Sequence, residues 1–148
     1  MASITSSNAA IAISIGSLYA APQALSQFAA DDVFDVDAVP SAETAMGVDG
    51  HLTGGKVFAP VPWRISFMAD SISIPVFEFW ESSEQQIGDI IRAQATITLT
   101  GVLRKYTMVN GILQQKSVMP SARRTLQSRT WTIEWESVTA VPVSATQQ

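Results

Sequence analysis

The chain has 148 residues, no cysteine, a formal charge of -4, and 15% charged against 47% hydrophobic side chains. Without cysteine there are no disulfides, thiolate metal sites or cysteine nucleophiles, and the negative balance argues against a protein that grips nucleic acid by neutralising phosphate. Charge this sparse, against about 25% in an average globular domain, leaves a thin polar shell that burial in subunit contacts would explain. The length suits one domain over 1–148, with an N-terminal arm at about 1–8 and a C-terminal tail at about 144–148.

Charge is unevenly placed. Through Ile74 the acids are Asp31, Asp32, Asp35, Asp37, Glu43, Asp49 and Asp70, against Lys56 and Arg64 alone; beyond it bases and acids nearly balance. Such asymmetry lets one edge of a subunit recognise another edge of its neighbour.

The apolar N-terminus lacks the basic region of a signal peptide, since no Lys or Arg precedes Lys56. Ile11, Ile13 and Ile15 alternate with Ala10, Ala12 and Ser14, so a first strand ends near Gly16. No apolar run approaches the roughly 18 residues of a membrane span, and no membrane insertion is expected. In DDVFDVD, Asp35 and Asp37 alternate with Phe34 and Val36, marking a two-faced second strand. The clustered acids lack the glycine and closing glutamate of a calcium loop, so no metal is assigned.

Turn-formers then flank a short strand at 44–48, with Asp49-Gly50 and Gly54-Gly55 both suited to tight turns. His51, the sole histidine, lies in this glycine-rich stretch and is expected at the surface; without a nucleophile elbow it founds no catalytic triad. Nor does the Gly54-Gly55-Lys56 run have the spacing of a phosphate-binding loop. Trp63, Ile65 and Phe67 share one face of the next strand, which Pro60 and Pro62 place at a sheet edge.

One helix follows. Asp70 or Ser71 can cap it, Pro75 fits its first turn, Ile72, Val76, Phe79 and Trp80 form its apolar stripe, and Gly88 ends it.

From residue 93 onward β-formers dominate. Asn110-Gly111, between two β-rich runs, predicts a hairpin with a type I′ turn. Its arms are mixed on both faces, and a ribbon that cannot bury a clean face either stays solvated or finds its partners on other chains. Arg104, Tyr106, Met108, Asn110, Gly111, Ile112 and Gln114 are the candidate self-assembly residues. In the final strand Trp131, Ile133 and Trp135 face a core while Thr130, Thr132, Glu134 and Glu136 face water, outside the molecule or in an enclosed channel.

An alternating N-terminal strand, the acidic DDVFDVD strand, one helix after ISFMADSISIPVFEFW, an Asn-Gly hairpin and a closing RTWTIEWESV strand together resemble the tail tube proteins of contractile-tailed bacteriophages. The likeness spans nearly the whole chain and rests on order and texture. It implies a mainly β protein, an antiparallel β-sandwich or barrel with one flanking helix and a long assembly hairpin. It further implies hexameric rings stacked into a conduit for double-stranded DNA that passes without specific binding. Sheath, baseplate and tail terminator proteins would be the other partners, the virion tail the location, and the host cytoplasm the place of assembly. Neither cofactor nor catalytic residue is implied, and Asp35, Asp37, Glu134 and Glu136 become candidate lumen-facing acids. The alternatives are a tube subunit of a tailocin or secretion system, a monomeric β-barrel binding a small apolar ligand, and a hydrolase using Glu134 and Glu136.

Overall fold

The computed structural model describes residues 9–142 apart from 17, 29–32 and 100, so the arm at 1–8 and the tail at 144–148 lie outside the described residues. The elements are β1 (Ala9–Ile15), β2 (Tyr19–Ala24), β3 (Phe34–Val36), β4 (Ala42–Met46), β5 (Leu52–Lys56), β6 (Val61–Phe67), α1 (Ile74–Ile87), β7 (Ala93–Leu99), β8 (Arg104–Gln115), β9 (Arg129–Trp135) and β10 (Ser137–Pro142). The main sheet runs β2-β1-β7-β8-β9-β6-β3, with β10 also on β8, and β4-β5 form a separate two-stranded sheet. All these pairings are antiparallel. The fold is mainly β and sandwich-like with a single helix among the described residues, as the pattern of alternation predicts.

The alternation sorts the core correctly in its three cleanest strands. Ile13, Ile15, Trp63, Ile65, Phe67, Trp131, Ile133 and Trp135 are all fully buried. Opposite partners across the ladder are Trp63 with Ile133 and Ile65 with Trp131, so aromatic and β-branched side chains alternate across β6 and β9. The helix closes this face: Phe77 stacks on Trp131 with ring centroids 5.2 Å apart and lies 5.3 Å from Phe67.

The helix stripe differs from the predicted one. The buried positions are Ile74, Phe77, Trp80 and Ser83, whereas Ile72 lies ahead of the helix and both it and Phe79 are exposed. The N-cap is Ser73 rather than Asp70 or Ser71, and it makes no side-chain cap bond. The serine hydroxyls are engaged elsewhere: Ser71 Oγ donates to the Ser26 carbonyl at 2.7 Å and Ser73 Oγ accepts from the Ser26 N–H at 2.8 Å. Tertiary bonding therefore sets the start of the helix and its phase. Pro75 does occupy the first turn, and Gly88 ends the helix in the left-handed conformation at φ 76°.

The Asn110-Gly111 hairpin is overturned. Residues Arg104–Gln115 form one continuous strand with both residues inside it. The ladder to β7 pairs Ala95 with Met108 but Ala93 with Gly111, so β8 carries one extra residue there, and Asn110 sits at φ 51°. This is a β-bulge: the tolerance for left-handed backbone that suits a type I′ turn serves equally to bend a strand. Gly111 is needed for a second reason, since a Cβ there would run into the Trp135 ring. The actual connection between β7 and β8 runs through residues 101–103, where Leu103 takes φ 54°.

Beyond the bend β8 changes partners. Its first half lies between β7 and β10, and its second half pairs with β9. Tyr106 and Met108 are the inward side chains of the first half, and Met108 is buried. The mixed faces arise because the β8-β10 ribbon outruns the core, leaving all of β10 exposed.

Two smaller expectations also change. The strand carrying Pro62 lies between β9 and β3 rather than at an edge. The proline is accommodated because β3 pairs only with residues from Trp63 to Ile65, and Pro62 contributes its carbonyl to the Asp37 N–H at 3.4 Å. Gly54 and Gly55 lie within β5, and only the Asp49-Gly50 turn forms.

Candidate assembly surfaces

Strand alternation carries the four predicted acids away from the core. Asp35 lies across from Arg64, Arg64 across from Thr132, and Pro62 across from Glu134, so β3, β6 and β9 share the face opposite the core, although Thr132, expected in water, is buried there at 7% exposure. Asp35, Asp37 and Glu136 are exposed and Glu134 is half-buried. The acids do not stand alone. Arg64 donates to Asp35 at 2.6 Å and to Asp37 at 2.7 Å, clamping the short β3 to its neighbour. The Arg64 hydrogen bond holds the Asp37 carboxyl below its ordinary pKa, and the two carboxylates raise that of Arg64. Glu136 accepts a short hydrogen bond from Asn110 Nδ2, tying the end of β9 to the bulge. Of this cluster, Arg64 was invisible to the period-two count of acids, although its place opposite Asp35 follows once β3 and β6 are paired.

The second surface is the β4-β5 hairpin. Ala42 pairs with Lys56 and Met46 with Leu52, and all ten strand residues are exposed. Val48, Leu52 and Met46 stand out in solvent at 113%, 63% and 66% exposure. His51 is exposed at the turn, its N–H donating to Asp49 Oδ1 at 3.2 Å. An isolated two-stranded ribbon is marginal in water, so a free hairpin with apolar side chains is the feature of this chain most in need of a covering surface. The signal for it lay in the predicted 44–48 strand and Asp49-Gly50 turn.

The predicted assembly residues on β8 are dispersed. Met108 and Gly111 are interior, Tyr106, Asn110 and Ile112 are half-buried, and Arg104 and Gln114 are exposed near the strand ends.

A buried guanidinium anchors the far end of the sheet. Arg129, 5% exposed, donates to the Ser117 carbonyl at 2.6 Å and to Glu78 at 3.2 Å, and lies 4.8 Å from the Trp131 ring centroid. Trp131 Nε1 in turn donates to Glu81 at 2.7 Å, so helix, loop and β9 are joined by charge-assisted bonds.

The space between the sheet and the helix is filled by Trp63, Trp80, Trp131, Trp135, Phe67 and Phe77. An open groove of about 450 Å³ runs between the end of α1 and the end of β8, lined by Glu81, Glu84, Asp89 and Lys116 among others. It is open to solvent and carries four charged side chains, unlike the enclosed apolar cavity of a lipid-binding barrel. Neither Glu134 nor Glu136 lines it. Among the described residues no three His, Asp or Glu side chains converge as a metal site, and no helix is long and apolar enough to cross a membrane.

This architecture matches chains from contractile injection machines. A structure of the sheath/tube terminator of an extracellular contractile injection system, PVC, contains a chain with TM-score 0.61 and 13% identity, covering 88% of this chain and 92% of that one. The PVC sheath-tube complex gives TM-score 0.58 and 15% identity over 90% and 88%. The baseplate of the anti-feeding prophage gives 0.60 and 8% over 97% and 99%. The fold is thus one that contractile injection systems use. No curated protein matches the sequence significantly. The family profile described as tail fiber protein gp32 matches residues 2–139, and the chain belongs to that family. It is a structural tail protein.

Proposed function

We propose that this chain is a tube-type subunit, closing into hexameric rings that stack into a hollow conduit for double-stranded DNA. The observation that carries this proposal is the bare β4-β5 hairpin on a fold shared over nearly its full length with chains of contractile injection systems. Unpaired strand edges support it further. Among the described residues β2 and β3 end the main sheet and β10 pairs only with β8, and edges of this kind invite pairing with another chain. Closing a ring removes them.

Assembly contacts fall to the β4-β5 hairpin, with Arg104 and Gln114 at the ends of β8 as minor contributors. The face bearing Asp35, Asp37, Glu134 and Glu136 lines the bore, where fixed negative charge keeps DNA off the wall, and Arg64 tempers the repulsion within each subunit. The role is structural rather than catalytic. The particle is a virion tail, put together in the host cytoplasm, with a sheath outside the tube and baseplate and terminator proteins at its ends.

A ring at the end of a tube is the second reading, because chains from the sheath/tube terminator structure and from that of the anti-feeding prophage's tube-terminating cap match as well as one from the sheath-tube complex does. Negative-stain microscopy of the purified chain tests both. Tubes of indefinite length support the tube subunit, single rings support the terminal component, and uniform small particles at high concentration exclude both.

A further inference from the structure

Two segments protrude from the sheet, and their chemistry is complementary. The β4-β5 hairpin carries Glu43 and Asp49 against Lys56, with Met46, Val48 and Leu52 exposed between them. Between β8 and β9, residues 116–128 carry Lys116, Arg123 and Arg124 and no acid, with Val118, Met119 and Leu126 exposed at 75%, 72% and 57%.

The second segment is built rather than loose. Ala122 bridges Leu126, the Arg123 N–H donates to the Thr125 carbonyl at 3.1 Å, and the Gln127 N–H donates to the Ser121 carbonyl at 2.8 Å. At its base the buried Arg129 holds the Ser117 carbonyl. Neither Arg123 nor Arg124 forms an ion pair with another described residue. A shaped turn therefore presents two guanidinium groups and three apolar side chains outward.

Resting on the polymer reading above, we propose that the basic 116–128 turn of one copy is the receptor for the acidic β4-β5 hairpin of the next. Each partner supplies what the other lacks: a ribbon that needs an apolar cover, and a dibasic turn whose apolar residues need one. Acid at both ends of the ribbon, Asp49 at the turn and Glu43 near the base, fixes register, because like charges brought together there would be rejected. Since the two surfaces differ, the contact is heterologous and propagates from copy to copy instead of closing as a dimer.

The test is a charge-reversal cycle on the full-length chain, with assembly followed by sedimentation and microscopy and folding by near-ultraviolet circular dichroism. Arg123→Glu with Arg124→Glu should raise the concentration needed for assembly at least about tenfold, as should Glu43→Arg with Asp49→Arg. All four changes together should restore assembly to within about threefold of wild type. Folded pairs that assemble normally, or a quadruple variant no better than either pair, would overturn the contact while leaving the polymer intact. A wild-type chain that never assembles would overturn the polymer reading itself, and the contact with it. Salt-sensitive retention of duplex DNA that the Arg123/Arg124 variant loses while assembling normally would assign the turn to nucleic acid instead.

Discussion

The aromatic block of β6, β9 and α1 and the hairpin of β4 and β5 obey opposite rules. In the block, six of the largest side chains pack with neighbouring ring centroids 5.2 to 6.1 Å apart, and every inward position of β6 and β9 is filled. In the hairpin no strand residue is even half-buried. The block therefore owes its order to the subunit, whereas the hairpin receives almost nothing from it. Substitutions should separate the two: damage in the block appears as lost stability of the isolated chain, and damage in the hairpin appears only when copies meet.

The largest effect is expected for Trp135→Ala, which removes a fully buried ring and should cost about 3–5 kcal/mol in a urea titration. Trp135→Phe is the control. The Trp135 indole N–H has no hydrogen-bond partner among the described residues, so losing that group breaks no bond and the cost, that of the smaller ring's cavity, should be clearly below that of Trp135→Ala. Next comes Gly111→Ala, where the added methyl meets the Trp135 ring and overpacking should cost about 1–3 kcal/mol. Leu52→Ser sharpens the comparison from the other side, with a change within about 0.5 kcal/mol in the monomer and a clear assembly defect by sedimentation. A loss of several kcal/mol at Leu52 would show that the hairpin does belong to the subunit core.

The smallest effect is on pH. Asp37 has its pKa lowered by its bond to Arg64, so its contribution is complete above its unfolded value, near 3.8, and is lost as pH falls through the lower folded value. Hydrogen-exchange protection at Phe34–Val36, taken relative to the intrinsic rate at each pH, should fall below about pH 4 while that of β9 holds. Replacing Arg64 by Ala should remove that pH dependence.

Legibility in the sequence followed the same divide. Strands with a clean alternation, those of Ile11 to Ile15, Trp63 to Phe67 and Trp131 to Trp135, show their inward face in the sequence because a single burial decision fixes every second residue. The helix is legible but its buried stripe is not, since the Ser71 and Ser73 hydroxyls bind a segment more than 40 residues away and set the phase from outside. The Asn110-Gly111 turn failed because positive φ at an Asn is equally the mark of a bulge, and only the strand partners decide between them. The free hairpin was half visible as a strand and a turn. Its protrusion was not, because isolation from a sheet leaves no periodic trace.

The bulge has a mechanical meaning. Because β8 pairs with β7 and β10 up to the bulge and with β9 beyond it, a single strand joins the β2-β1-β7 half of the sheet to the β9-β6-β3 half. Glu136 and Asn110 are bonded at that corner. A pull on the exposed β10 edge is therefore carried around the bend into the tryptophan-rich block. In the stack proposed above, that path would let one member hand force on to the next through its core rather than its surface.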